Sequence, residues 1–112
     1  MLRAMSWHAV LRVGELAPGD VRAVEVAGKS LVVGRDGDRY FACQRQCVHR
    51  GGDLADGIVS RGHLICPQHG WRFSTATGKN PDASDTEPGA SLATYAVRVT
   101  GDDIDIEIAE PT

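Results

Sequence analysis

The sequence predicts an all-β domain, an antiparallel β-sandwich or barrel base carrying a small inserted subdomain over about residues 44–75. Three observations carry this. Apolar and polar residues alternate with period two toward both ends, glycine-containing turns separate the alternating runs, and no segment sustains helical periodicity over three turns.

The elements follow in order. Pro18-Gly19 breaks the one early helical candidate, Glu15-Leu16-Ala17. Val21-Arg22-Ala23-Val24-Glu25-Val26, Ala27-Gly28 and Lys29-Ser30-Leu31-Val32-Val33 read as strand, turn and strand. Asp36-Gly37 predicts a second two-residue hairpin turn, leading into a strand Arg39-Tyr40-Phe41-Ala42-Cys43. From Gln44 to about Ser74 regular alternation is confined to His63-Leu64-Ile65-Cys66, and glycines are frequent. An irregular stretch from Asn80 to Ser91 holds Pro81, Pro88 and Gly89. Tyr95, Val97 and Val99 then alternate with Ala96, Arg98 and Thr100. After a turn at Gly101-Asp102, Ile104, Ile106 and Ile108 alternate with Asp105 and Glu107, so each strand is expected to bury one face and wet the other.

The 112 residues are expected to make one domain, 1–112, being near the modal size for one and too few for two. A net charge of −3 and the lack of a basic block argue against nucleic acid as a partner. Apolar runs such as Ser30-Leu31-Val32-Val33 are far too short to span a membrane. Met1-Leu2-Arg3-Ala4-Met5 has no hydrophobic core behind it, so no signal peptide is expected, and either Met1 or Met5 serves as the start. A soluble, cytoplasmic monomer is expected.

Three cysteines are an odd number for a disulfide framework and suit a reducing compartment. Two of them belong to short mixed pairs: Cys47-Val48-His49 and Cys66-Pro67-Gln68-His69, sixteen residues apart. Two thiolates and two imidazoles form a metal-ligand set. A tetrahedral structural zinc site is one reading. A [2Fe–2S] cluster with one iron on cysteine and the other on histidine is the second, and it needs the division that each pair provides. Zinc fingers usually group their ligands as Cys-x-x-Cys and His-x-x-x-His. The interleaved order here, with glycines after each pair, favours two loops gripping a cluster from opposite sides. Cys43 is expected to pack as a small buried hydrophobe, and His8 and His63 as structural residues.

At these residues the chain resembles the Rieske ferredoxin family. Gly51-Gly52 follow the first pair, and Gly70, Trp71 and Phe73 follow the second in His-Gly-Trp-Arg-Phe, with Thr77-Gly78 further on. The resemblance spans roughly Tyr40 to Val99 and implies the Rieske fold, with a cluster-binding subdomain on a β base. It implies one [2Fe–2S] cluster bound by Cys47, His49, Cys66 and His69, and a proline-containing loop covering one side of it, for which Asn80 to Ser91 is in the right place. Neutral imidazoles in place of two thiolates remove about two negative charges, so Rieske potentials span roughly −150 to +300 mV against about −400 mV for plant-type ferredoxins. High-potential members carry a further cysteine after each pair and hydroxyl donors after the second histidine. This chain has Gly51-Gly52, Gln68, Trp71 and Phe73 at those places, which implies a low-potential centre. Gly51, Gly52 and Gly70 are expected to let backbone amides approach the sulfurs.

The resemblance implies an electron carrier rather than an enzyme, passing single electrons from a flavin-dependent reductase to a terminal oxygenase of a dioxygenase system. The alternative is the small subunit of a nitrite reductase, with that enzyme's large subunit as partner. A structural zinc module is the remote non-redox alternative. An oxygenase would need a separate iron site of two histidines and a carboxylate, and only His8 and His63 remain. Arg45, Arg50, Arg61 and Arg72 near the ligands, and Asp82, Asp85 and Glu87 in the covering loop, are candidates for orienting partners.

Overall fold

The computed structural model describes residues 4–47, 52–67, 70–81 and 91–109. Among these, the strands are β1 (Met5–Arg12), β2 (Val21–Val26), β3 (Lys29–Asp36), β4 (Arg39–Gln44), β5 (Ile58–Ser60), β6 (His63–Ile65), β7 (Arg72–Ser74), β8 (Thr94–Tyr95), β9 (Val97–Thr100) and β10 (Asp103–Ala109). They form three antiparallel sheets, ordered β1-β10-β9, β2-β3-β4-β8 and β5-β6-β7. Helix among the described residues is limited to 3₁₀ turns at Val13–Glu15 and Leu54–Asp56.

The sheet of β2, β3, β4 and β8 is the middle layer. Side chains alternate across a strand, so Leu31 and Val33 face one way and Val32 the other. Leu31, Val33 and Ala42 join Leu16, Val24, Val26, Ile104, Ile106 and Ile108 in the core of the base. Val32, Phe41 and Cys43 join Cys47, Leu54, Leu64, Cys66, Phe73 and Leu92 in a second core under the short sheet β5-β6-β7. Burial on both faces explains why β3 reads as a continuous apolar run rather than an alternating one. Gly34 pairs with Phe41, and a Cβ there would enter the Phe41 ring; glycine lets that ring lie flat across β3.

The turns match the sequence reading with one shift. Ala27 and Gly28 both have positive φ (51° and 77°), as a type I′ turn requires. The pairing of Asp36 with Arg39, however, puts the second turn at Gly37-Asp38, one residue later than expected. Gly37 alone carries the positive φ (62°), so glycine occupies the first turn position, where type II′ demands it. Asp36 stays in the strand and accepts a hydrogen bond from the Thr75 hydroxyl at 2.8 Å.

Two expectations about faces need correction. Asp105 is buried rather than wet: Arg98 Nε at 3.1 Å and Thr100 Oγ1 at 2.9 Å donate to its carboxylate. The Arg98 guanidinium also stacks 4.2 Å from the Trp7 ring centroid, so the outer face of this sheet is covered at that point. Val99 is exposed, because β9 lies at the edge of its sheet. Strand β1 has no counterpart in the sequence reading. Ser6 and His8 sit opposite Ile108 and Ile106 on the inner face, and the register shifts between Ala9 and Leu11; both hide the alternation.

Candidate metal centre

Cys47 and Cys66 lie in the second core, 3% and 1% exposed. Each opens a loop closed in the same way. The Cys47 N–H donates to Gly52 O at 2.7 Å, and the Cys66 N–H donates to Trp71 O at 2.8 Å. In both cases the cysteine amide reaches the carbonyl five residues on, so the two thiols stand at equivalent positions in two loops of equal span. The histidine position of each pair falls between the cysteine and that closing residue. His49 and His69 themselves lie outside the described residues, as do Arg50, Gly51, Gln68, Asp82, Asp85, Glu87, Pro88 and Gly89.

Each loop has its own supports. The second rises from the β6–β7 hairpin, where Leu64 pairs with Phe73 and Ile65 with Arg72. Gly70 closes it by donating to Cys66 O at 3.1 Å, with a φ of 71° that a larger residue resists. The first loop leaves β4 and returns into the turn at Leu54–Asp56, anchored by the fully buried Leu54. A third pair of legs begins at the bridge between Lys79 and Ser91. Gln44 joins the roots of the first and third: its amide donates to Gln46 O at 2.6 Å and accepts from the Ala93 N–H at 2.8 Å.

The apolar wall behind the thiols is Leu54, Leu64, Phe73 and Leu92, all buried. Fully burying such a side chain contributes about 1.5–3 kcal/mol, so the floor of the site is also a true core. Phe73 is wholly buried and Trp71 half-buried, with ring centroids 6.4 Å apart, so Trp71 packs against the same core. Cys43 behaves as a buried hydrophobe, and burial pushes its thiol pKa up to about 12. At neutral pH it therefore stays protonated, unlike a metal ligand. None of the three cysteines, all described, forms a disulfide.

His8 and His63 stand apart from the loops. His8 lies on β1 opposite Ile106, and His63 Nδ1 sits 3.0 Å from Arg61 O in the β5–β6 turn. Arg45 is not an open rim charge: it forms a two-pronged pair with Asp53 at 3.1 and 3.0 Å and also donates to Ser30 Oγ at 3.2 Å. Asp53 and Gln44 were invisible as site residues in the sequence, because neither carries a metal-ligating pattern.

Two loops of equal span, each with a buried thiol over one apolar floor, suit a metal centre gripped between them. The chain matches the Rieske [2Fe-2S] domain over residues 6–96, and it belongs to that family, whose cofactor is one [2Fe–2S] cluster. The donor set fits such a cluster: two thiols at matched positions and, outside the described residues, a histidine following each. The chain is 28% identical over 103 residues to the ferredoxin component of the naphthalene 1,2-dioxygenase system of Pseudomonas aeruginosa, covering 92% of this chain and 96% of that one. It is 40% identical over 74 residues to the methylxanthine N1-demethylase NdmA of Pseudomonas putida, covering 62% of this chain but 21% of that one, so it spans only about a fifth of that relative. A solved complex of reduced oxygenase and oxidised ferredoxin in carbazole 1,9a-dioxygenase matches with a TM-score of 0.79 and 27% identity, covering 95% of this chain and 96% of the matched chain. Among the described residues no helix is long and apolar enough to cross a membrane.

Proposed function

We propose that this chain is a cytoplasmic electron carrier that takes single electrons from a flavin-dependent reductase and delivers them to a terminal oxygenase. Cys47 and Cys66 hold one iron of its cluster, and His49 and His69 hold the other. The observation that carries this reading is the matched pair of loops, each closing from its cysteine amide onto the fifth residue along. Near-complete mutual coverage with a dioxygenase ferredoxin component supports the carrier reading.

The bound cluster supplies one-electron chemistry; the chain sets its surroundings. Burial of both thiols keeps water from the sulfur ligands. Phe73 lies in the core and has no hydroxyl to donate, so the reduced and more negative state gains no side-chain hydrogen bond from that position, in keeping with a low potential.

Protein purified anaerobically should contain about two irons and two sulfides per chain and show a rhombic reduced-state resonance of low average g. Reduced protein mixed with a dioxygenase-type oxygenase should be reoxidised at a rate that rises with oxygenase concentration. A colourless protein holding one zinc would sink the reading, as would a cluster that no such reductase reduces and no such oxygenase oxidises.

A further inference from the structure

The two ligand loops share a closing bond but not a foundation. Three consecutive residue pairs of the β6–β7 hairpin support the loop at Cys66. Among the described residues, the legs below the loop at Cys47 share one isolated bridge, Gln46 with Asp53, made by the closing bond and by the Leu54 N–H donating to Arg45 O at 2.8 Å. A ladder that short does not hold two chain segments in register unaided. The missing constraint is supplied by side chains. Arg45 stands on the outgoing leg and Asp53 on the returning leg, and the guanidinium meets the carboxylate with two parallel hydrogen bonds of 3.1 and 3.0 Å. That planar geometry fixes distance and orientation together.

Both members are themselves oriented. Asp53 Oδ1 accepts the Ala55 N–H at 2.9 Å, which ties the carboxylate to the turn that buries Leu54. Arg45 Nη1 donates to Ser30 Oγ at 3.2 Å, which ties the guanidinium to β3. The side chains are 39% and 38% exposed, and ion pairs so exposed contribute little to global stability. A local role therefore accounts for the geometry better than a global one.

We propose that Arg45 and Asp53 are positioning residues that stand in for the missing hairpin under the first loop and set where Cys47 is held. The inference rests on Cys47 being a ligand of the cluster.

The test compares holoprotein carrying Arg45→Gln, Asp53→Asn or both with the parent, reading iron release to a chelator, reduction potential and the reduced-state g values. A distant variant, Asp105→Asn, reports the effect of general destabilisation. The expected result is iron release up to about fivefold faster in each single variant, the upper end of what an ion pair this exposed is worth. Both singles should move the potential in the same direction and change the g values alike, and the double variant should be no worse than either, because one contact is lost in all three. A simple through-space charge effect predicts otherwise. Loss of the cation would lower the potential, loss of the anion would raise it, and the double variant would cancel. That pattern would overturn the proposal. So would release rates that track thermal stability across all variants including Asp105→Asn, or no change in any of them. Parent protein lacking a mixed-ligand resonance would overturn the proposal together with the ligand assignment, whereas a normal parent with indifferent variants overturns the positioning role alone.

Discussion

Gly28 and Gly78 have nearly the same backbone, φ 77° and 78°, but a Cβ at Gly28 meets nothing within 4 Å. A Cβ at Gly78 would lie 2.7 Å from both Leu92 O and Thr94 Cγ2. Replacing each by alanine thus isolates the effect of close approach from that of backbone conformation. The left-handed conformation costs a residue with a Cβ about 1–2 kcal/mol, which should be the whole effect of Gly28→Ala. At Gly78 the Thr94 methyl can swing away, but Leu92 O belongs to a backbone already committed: the Leu92 N–H donates to Gly78 O at 2.8 Å. Relieving that overlap adds about 1–3 kcal/mol, as overpacking does elsewhere. At about 4 °C per kcal/mol in a domain of this size, Gly28→Ala should lower the melting temperature by about 4–8 °C. Gly78→Ala should lower it by about 4–12 °C more. Thermal scans at one fixed rate, following far-ultraviolet dichroism and visible cluster absorption together, make the comparison. Gly78→Ala should also bleach the cluster ahead of global unfolding, because Gly78 holds the leg that carries the Lys79–Ser91 bridge. Equal melting temperatures for the two variants would refute the argument from close approach, and a cluster that bleaches only with global unfolding would refute its extension to the site.

Cys43→Ala should retain the full cluster spectrum, and in native protein the Cys43 thiol, with its pKa near 12, should resist alkylation at neutral pH; loss of the cluster in that variant would show Cys43 to be a ligand. Asp105 has its pKa lowered, first by the Thr100 hydroxyl and then by Arg98, so its stabilisation is present above the unfolded carboxylate value of about 3.9 and is lost as pH falls below it. The melting-temperature gap between the parent and Asp105→Asn should accordingly be widest near neutrality and shrink below about pH 4; a gap constant with pH would exclude that ionisation as its source.

The ligand pairs and the hairpins of the base were legible because their determinants are local. A cysteine and histidine two or three residues apart, a glycine where φ must be positive, and alternation along β10 all act within a few residues. What escaped depends on contacts across the fold. Strand β5 is three residues long and, unlike β6, has no flanking residue that extends the alternation. Gly57 reads as an ordinary loop glycine, yet a Cβ there would lie 2.7 Å from Ile65 O, where the chain passes close under β6. Asp105 looked like a solvated partner to Ile104 and Ile106 until β9 and β1 brought Arg98 and Trp7 over it. Arg45 looked like a rim charge because Asp53 is eight residues away and only the closure of the loop brings them together.

The placement of β3 between two cores limits how the molecule can be divided. Val32 belongs to the floor beneath the thiols, while its neighbours Leu31 and Val33 belong to the base, so one strand is a party wall between the two. A miniature electron carrier cut down to the two loops and β5-β6-β7 would leave Leu64 and Phe73 facing water, since the surface against them is Val32, Phe41 and Cys43. Lengthening or exchanging the loops above that wall leaves it intact, whereas trimming the base removes it. The smallest transplantable unit therefore includes β3 and β4, and with them the outer sheet that shields their other face.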